Sequence, residues 1–394
     1  MLQNKPLNGV RVLDLTRLLP GPMCTLHLAD MGADVIKIED TGEGDYARWM
    51  GVEKPKNSGY FLAVNRNKRG ITLDLRQEKG RDIFLQLAKT ADVIIESFRP
   101  QVVDKLGIGY DTIKAINPRI VYCAITGYGQ TGPYRDKAGH DLNYCGYSGV
   151  VDQTGLAGEA PAMSNFQIAD LAGGTLSAAM GILAALYAVQ KTGKGTYIDV
   201  SMTDCTLVHT VAALSTYVRE TKTSPRGEDM LTGRLPNYRI YATADNRYMA
   251  MGALEPKFWQ AFCQAIQRPD WLGLAWSTGH TATQLQQALT DLFASQTQQY
   301  WTDKLATVDC GVTPILTFEE SLADPQIQAR GVFIHAQHPT EGTVKQFAFP
   351  LKFSEYAFSI DRHAPLQGEH NQEVLRTLGY SEAEIIQLKT TGVI

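Results

Sequence analysis

Short β-rich runs and helical patterns alternate through the first two hundred residues, and that alternation leaves few folds open. VRVLDL at 10–15 is followed by Pro20-Gly21-Pro22, a helical pattern over 23–31 and a second strand at 33–39, which together read as a βαβ unit. Strand patterns recur at 71–75, 92–97, 120–126 and 196–201, with helices expected over 78–89, from 101 to about 116, and over 176–190. Parallel strands need crossovers of this kind, so the chain is expected to be α/β, with a Rossmann-like parallel sheet covered by helices on both faces. The first turn reads RLLPGP, not G-x-G-x-x-G. The glycine approach that seats a dinucleotide pyrophosphate is missing, and no nicotinamide cofactor is expected.

At 394 residues the chain exceeds the usual size of one compact domain, so a large core with a smaller domain is expected. The polar, turn-rich stretch 220–236 is a linker candidate; beyond it, residues 238–243 and 247–252 flank Asp245-Asn246 as a hairpin would. Trp271, Trp276 and Trp301 are candidate core anchors of the smaller domain, and 347–353 reads as a further strand. A net charge of −4 with 20% charged residues points to no nucleic-acid partner. Six scattered cysteines without a C-x-x-C pair suit a reducing compartment, and no apolar run of spanning length stands out; a cytoplasmic protein with no membrane partner is expected. His335 and His338 stand three apart without a third ligand, so they read as surface residues and no metal is expected.

The chemistry concentrates in Gly139-His140-Asp141-Leu142-Asn143-Tyr144 and in Asp170, thirty residues after His140. A histidine and a carboxylate, each beside glycines and each where an element should begin, are what acid/base work on a carbon needs. Each also has a plainer reading, His140 as a hydrogen-bonded structural residue and Asp170 as a helix cap, ionised by the dipole. Glu255 precedes Pro256 at a strand-to-helix junction, where it is either an active-site member or a first-turn acid. The cluster Asn65-Arg66-Asn67-Lys68-Arg69 and, later, Arg99 just past a strand end are candidates to hold phosphates; the alternative for the cluster is a solvated loop. Tyr46, Trp49, Tyr60 and Phe61 nearby would stack a base or pack inside.

VRVLDLTRLLPGP, MGADVIKIE, NRNKRGITLDL, TGYGQTGP and KGTYIDVSM together resemble the family III CoA-transferase (CaiB/BaiF) superfamily over nearly the whole chain. Within it, AGHDLNY, Asp170 followed by Leu-Ala-Gly-Gly, and GALEP are most similar to the α-methylacyl-CoA racemase branch. The resemblance implies a large Rossmann-like domain begun by 1–200, a helix and linker over 201–236, a smaller α+β domain over 237–328 and a return to the large domain over 329–394. It also implies an interlocked homodimer, an acyl-CoA thioester as substrate and no separate cofactor. Arg66, Lys68, Arg69, Arg99 and Lys105, with Asp141 and Tyr144, would then bind the CoA arm.

The resemblance gives the acid/base pair a task. The α-proton of a thioester is too weakly acidic for a free imidazole or carboxylate, so a base must work beside donors that stabilise the enolate oxygen. The helix start after Asp170, with Gly173 and Gly174, is a candidate for those donors. Racemisation delivers the new proton to the opposite face, which calls for two bases: His140 and Asp170, with Glu255 orienting the imidazole. The rival is a CoA-transferase in which Asp170 attacks the thioester as a nucleophile.

Overall fold

The computed structural model describes residues 5–51 and 57–394. Its chain divides into two units. The first holds the residues up to Ser148, Ser164–His209 and Gln328–Ile394; the second holds Gly149–Met163 and Thr210–Ile327.

The first unit is built on six strands, β1 (Arg11–Asp14), β2 (Asp34–Glu39), β3 (Lys68–Thr72), β4 (Val93–Glu96), β5 (Val121–Thr126) and β6 (Thr196–Ser201). They lie in the order β3-β2-β1-β4-β5-β6, every neighbouring pair parallel. This is the doubly wound Rossmann order, whose direction of winding reverses between β1 and β4. Strands β3, β4 and β5 are buried throughout, as a sheet covered on both faces requires. On one face Ile83, Phe84 and Leu87 of the helix Glu78–Ala88 pack with Ile94, Ile113 and Tyr122. The C-terminal helices Asn371–Thr377 and Glu382–Thr390 add Val374, Leu375, Ile385 and Leu388 to the same core. Each such side chain contributes about 1.5–3 kcal/mol by leaving water.

Helix Pro20–Asp30 and a π-helical turn, Ala169–Leu176, which runs into the α-helix Ser177–Thr192, lie beside the sheet as well. The combined helix 169–192 is long and apolar enough to cross a membrane by length and composition, contrary to the expectation that no run reaches that length. Here Ala178, Ala179, Ile182, Ala185 and Val189 are buried, the behaviour of a core helix.

In the second unit β7 (Tyr238–Ala242) and β8 (Tyr248–Gly252) form the expected antiparallel hairpin, and β9 (Val312–Pro314) pairs with β8. Trp259, Trp271, Phe293 and Trp301 fill its core, while Trp276, expected to anchor it, is 52% exposed. The first unit also carries an antiparallel pair, β10 (Phe333–His338) and β11 (Gly342–Phe347). The strand expected over 347–353 is thus displaced toward its N-terminal side.

Several boundaries differ for physical reasons. The helix expected from 101 to about 116 breaks into Val102–Lys105 and Tyr110–Ile116 at Gly107, whose φ of +72° cannot continue a helix. His338 is buried, with its Nε2 2.9 Å from the Ala364 carbonyl, so it is not the surface residue expected. β3 begins at Lys68, not at Ile71: two cations open a buried strand because each meets a buried or half-buried carboxylate.

Candidate active site

Ligands of doubly wound sheets sit beyond the carboxyl ends of the strands, where the winding reverses. A recess of about 460 Å³ occupies that position, lined from the segments that follow β1, β4, β5 and β6. His140, Asp170, Tyr144 and Arg99 are brought together in it.

His140 is the N-cap of the short helix Asp141–Tyr147. Its N–H donates to Asn143 Oδ1 at 3.0 Å and its carbonyl accepts from Asn143 N–H at 2.8 Å, which fixes the backbone and leaves the exposed imidazole facing the recess. The Tyr144 ring braces this turn from below. Its O–H donates to the Gly139 carbonyl, and an added Cβ at Gly127 or Gly139 would fall 2.2 or 2.6 Å from the ring, so both glycines are dictated by Tyr144. Burial, then the Asp170 charge, pushes the Tyr144 hydroxyl up to about 12, so it acts as a neutral brace.

Asp170 lies in the first turn of the π-helix, not at its cap. The expectation that a helix dipole holds it ionised is overturned: burial, and after it the Asp141 charge, raises its carboxyl to about 7. Asp141 Oδ1 accepts the Asp170 N–H at 3.0 Å, so the same carboxylate that raises Asp170 also joins the two helix starts. Asp141 therefore positions Asp170. Gly173 and Gly174 are not in the recess lining; a Cβ at Gly173 would meet Thr206 Oγ1 at 2.5 Å and the Met202 carbonyl at 2.8 Å, so Gly173 allows close packing against the helix Met202–Leu207.

The basic cluster is elsewhere. Arg66 pairs with Asp30 at 2.6 Å and Lys68 with Asp14 at 3.2 Å, all four buried; Arg69, 10% exposed, pairs with Asp34 at 2.7 Å and Glu373 at 3.0 Å. Since β3 starts at Lys68, the cluster stands at the amino end of its strand, away from the carboxyl edge where ligands sit. Lys105 is exposed and lies outside the recess lining. Of the aromatics, Phe61 is buried under the Arg48 guanidinium, 3.7 Å from its ring centre. Glu255, in the second unit, caps helix Pro256–Ala265, and its carboxylate is exposed with no partner among the described residues.

Sequence reading missed Arg17, Thr126, Arg135, Lys137 and Met202, all of which line the recess. Their shared signal is position within a few residues of a strand's carboxyl end, or in the glycine-rich loop after β5. Arg17 is held by Asp40 at 2.9 Å, and its N–H by Ser97 Oγ at 3.3 Å. Glu96, the last residue of β4, was missed as well. Burial raises its carboxyl to about 8, and it accepts the Phe98 N–H at 2.7 Å, fixing the turn that presents Phe98 and Arg99. A second recess of about 550 Å³ runs along the ends of β1, β2 and β3, contains Tyr46 and Arg76, and shares Arg17 and Phe98 with the first.

A Rossmann sheet with a histidine and a near-neutral carboxylate at its reversal point, flanked by cations, is a site for proton or acyl chemistry on an anionic ligand. The chain is an enzyme of CoA-transferase family III, whose family model matches residues 7–371. It is similar to alpha-methylacyl-CoA racemase of Homo sapiens, 35% identical over 98% of this chain and 97% of that protein. It is also similar to succinyl-CoA:glutarate CoA-transferase of Homo sapiens, 33% identical over 99% and 90%. Among solved structures, a CAIB/BAIF family protein from Brucella suis superposes with a TM-score of 0.83 at 32% identity, covering 95% of this chain and all of that one.

Proposed function

We propose that the protein is an acyl-CoA racemase that interconverts (R)- and (S)-2-methylacyl-CoA thioesters by proton transfer through an enolate. The observation that carries this reading is that His140 and Asp170 line one recess. A nucleophilic carboxylate would need no histidine there, and a nucleophile is poorly served by burial that raises its pKa to about 7. A general acid/base is well served, because proton transfer both ways is most efficient near the working pH.

The CoA arm lies along the second recess, its phosphates met by Arg17 and Arg76 and its base beside Tyr46, and the thioester enters the first recess past Arg99. His140 takes the α-proton from one face to leave the enolate, and Asp170, protonated, then donates to the other; the reverse reaction exchanges the roles. Asp141 keeps Asp170 in place and near-neutral, and Glu255 of a second copy of the chain steadies the imidazolium. No cofactor takes part beyond the CoA of the substrate.

We further infer a cytoplasmic homodimer. Helix Val211–Glu220 buries none of its residues, and Val211, Leu214, Tyr217 and Val218 are each more than half exposed, an apolar face that suits a second copy. The second reading, a CoA-transferase using Asp170 as nucleophile, is favoured by the transferase relatives. Incubating an (R)-2-methylacyl-CoA in D2O with and without a carboxylic acid acceptor separates the two by NMR. Racemase activity gives α-deuterium and loss of stereochemical purity without acceptor; acceptor-dependent CoA transfer with an unexchanged α-proton would refute it.

A further inference from the structure

Thr126 ends β5 on the wall of the catalytic recess, and it is 7% exposed. Its Oγ1 has no hydrogen-bond partner among the described residues. Four buried hydroxyls of the neighbouring elements each have one: Thr16 donates to Asp14 Oδ1, Thr175 to the Pro20 carbonyl at 2.6 Å, and Thr206 to the Met202 carbonyl at 2.7 Å, while Ser201 accepts the Asp204 N–H at 3.2 Å. A buried hydroxyl without a protein partner costs stability, and a site that keeps one is built to bond something that enters it.

What enters follows from the order of the sheet. The second recess lies over β1, β2 and β3, and the catalytic recess over β1, β4, β5 and β6. A thioester whose CoA arm lies on the β2–β3 side carries its acyl group toward β5 and β6. There Ile125 and Met202 offer apolar wall, and Thr126 offers a buried, uncommitted hydroxyl. We propose that Thr126 is a specificity residue that recognises an oxygen on the acyl chain close to the α-carbon, so that the preferred substrates are oxygenated 2-methylacyl thioesters and not plain alkyl ones. This deepens the thioester reading above and rests on it. A site that bonds a substrate oxygen discriminates against the analogue lacking it, since the buried partner is then left unpaired.

The test is equilibrium binding, which depends on neither rival reaction. Dissociation constants of 2-methylbutanoyl-CoA and 3-hydroxy-2-methylbutanoyl-CoA are measured by calorimetry on the wild type, Thr126→Val and Thr126→Ser, with the melting temperature of each. The wild type is expected to prefer the hydroxylated thioester by about tenfold. Thr126→Val should lose that preference without a fall in melting temperature, because it removes an unpaired buried hydroxyl, and Thr126→Ser should keep it. Equal binding of both thioesters by the wild type, or a preference that survives in Thr126→Val, overturns the proposal. A lower melting temperature in Thr126→Val with both affinities weakened alike assigns Thr126 a structural role and overturns it too. Failure of the wild type to bind either thioester overturns the underlying thioester reading as well.

Discussion

Two groups of cations in the first unit have similar composition and opposite fates. Arg66, Lys68 and Arg69, at the amino end of β3, are consumed by Asp30, Asp14, Asp34 and Glu373. Arg17, Arg99, Arg135 and Lys137 line the recess at the carboxyl edge, and Arg99 is exposed with no ion pair among the described residues. The difference is strand polarity. A basic residue within the buried part of a sheet survives only by pairing internally, whereas past a strand's carboxyl end the pairs, Arg17 with Asp40 and Arg135 with Asp136, are partly exposed, and Arg99 is left for a ligand. Lys68 shows the first case fully. Burial pushes the Asp14 carboxyl up, but the Lys68 and Lys37 ammoniums and the Thr16 and Thr25 hydroxyls outweigh it and hold it down at about 2.

The largest effect that would break this contrast comes from Lys68→Met. It strands a buried carboxylate and should cost about 3–5 kcal/mol, read as a lower denaturant midpoint. A variant of wild-type stability would remove the structural role from the amino-end cluster. Next is Asp170→Asn, expected to lower turnover about 10²–10⁴-fold. Because folding raises the Asp170 pKa to about 7, its ionised form is disfavoured in the native state, and its contribution to stability declines as pH rises from about 4 toward 7. Asp170→Asn should therefore melt no lower than wild type at pH 8, and a clear destabilisation there would contradict the assignment.

A smaller effect sharpens the comparison directly. Arg99→Gln should raise KM about tenfold in a salt-dependent way with kcat little changed, while Arg66→Gln should leave KM unaltered and cost about 1–3 kcal/mol of stability. The opposite pattern would restore the phosphate-binding role to Asn65–Arg69. Smallest is Asp141→Asn. Removing its charge should move the inflection of the pH–rate profile downward from about 7, with Asn Oδ1 still able to accept the Asp170 N–H.

The fold was largely legible because hydrophobic strand runs and helical periods alternate cleanly through β1 to β6. That His140 and Asp170 would share one recess was legible too, since glycines mark where chain turns tightly beside a ligand. What misled was composition read without strand direction. Lys68 and Arg69 look like loop residues, because nothing local announces that Asp14 and Asp34, more than thirty residues away, will bury them. Arg17 and Thr126 stayed hidden for the converse reason: their roles depend on which strand ends meet, a matter of sheet order and not of neighbouring sequence. The raised Asp170 carboxyl likewise arises from burial and from Asp141, which folding brings against it.

The central claim is that His140 and Asp170 serve opposite faces of one α-carbon. His140→Gln tests it when each enantiomer of a 2-methylacyl-CoA is incubated separately in D2O and followed by NMR. The account predicts that one enantiomer, served by Asp170, exchanges its α-hydrogen with retention of configuration while the other does not exchange. Continued epimerisation of both, or no exchange of either while CoA still passes to an added acid, would contradict it.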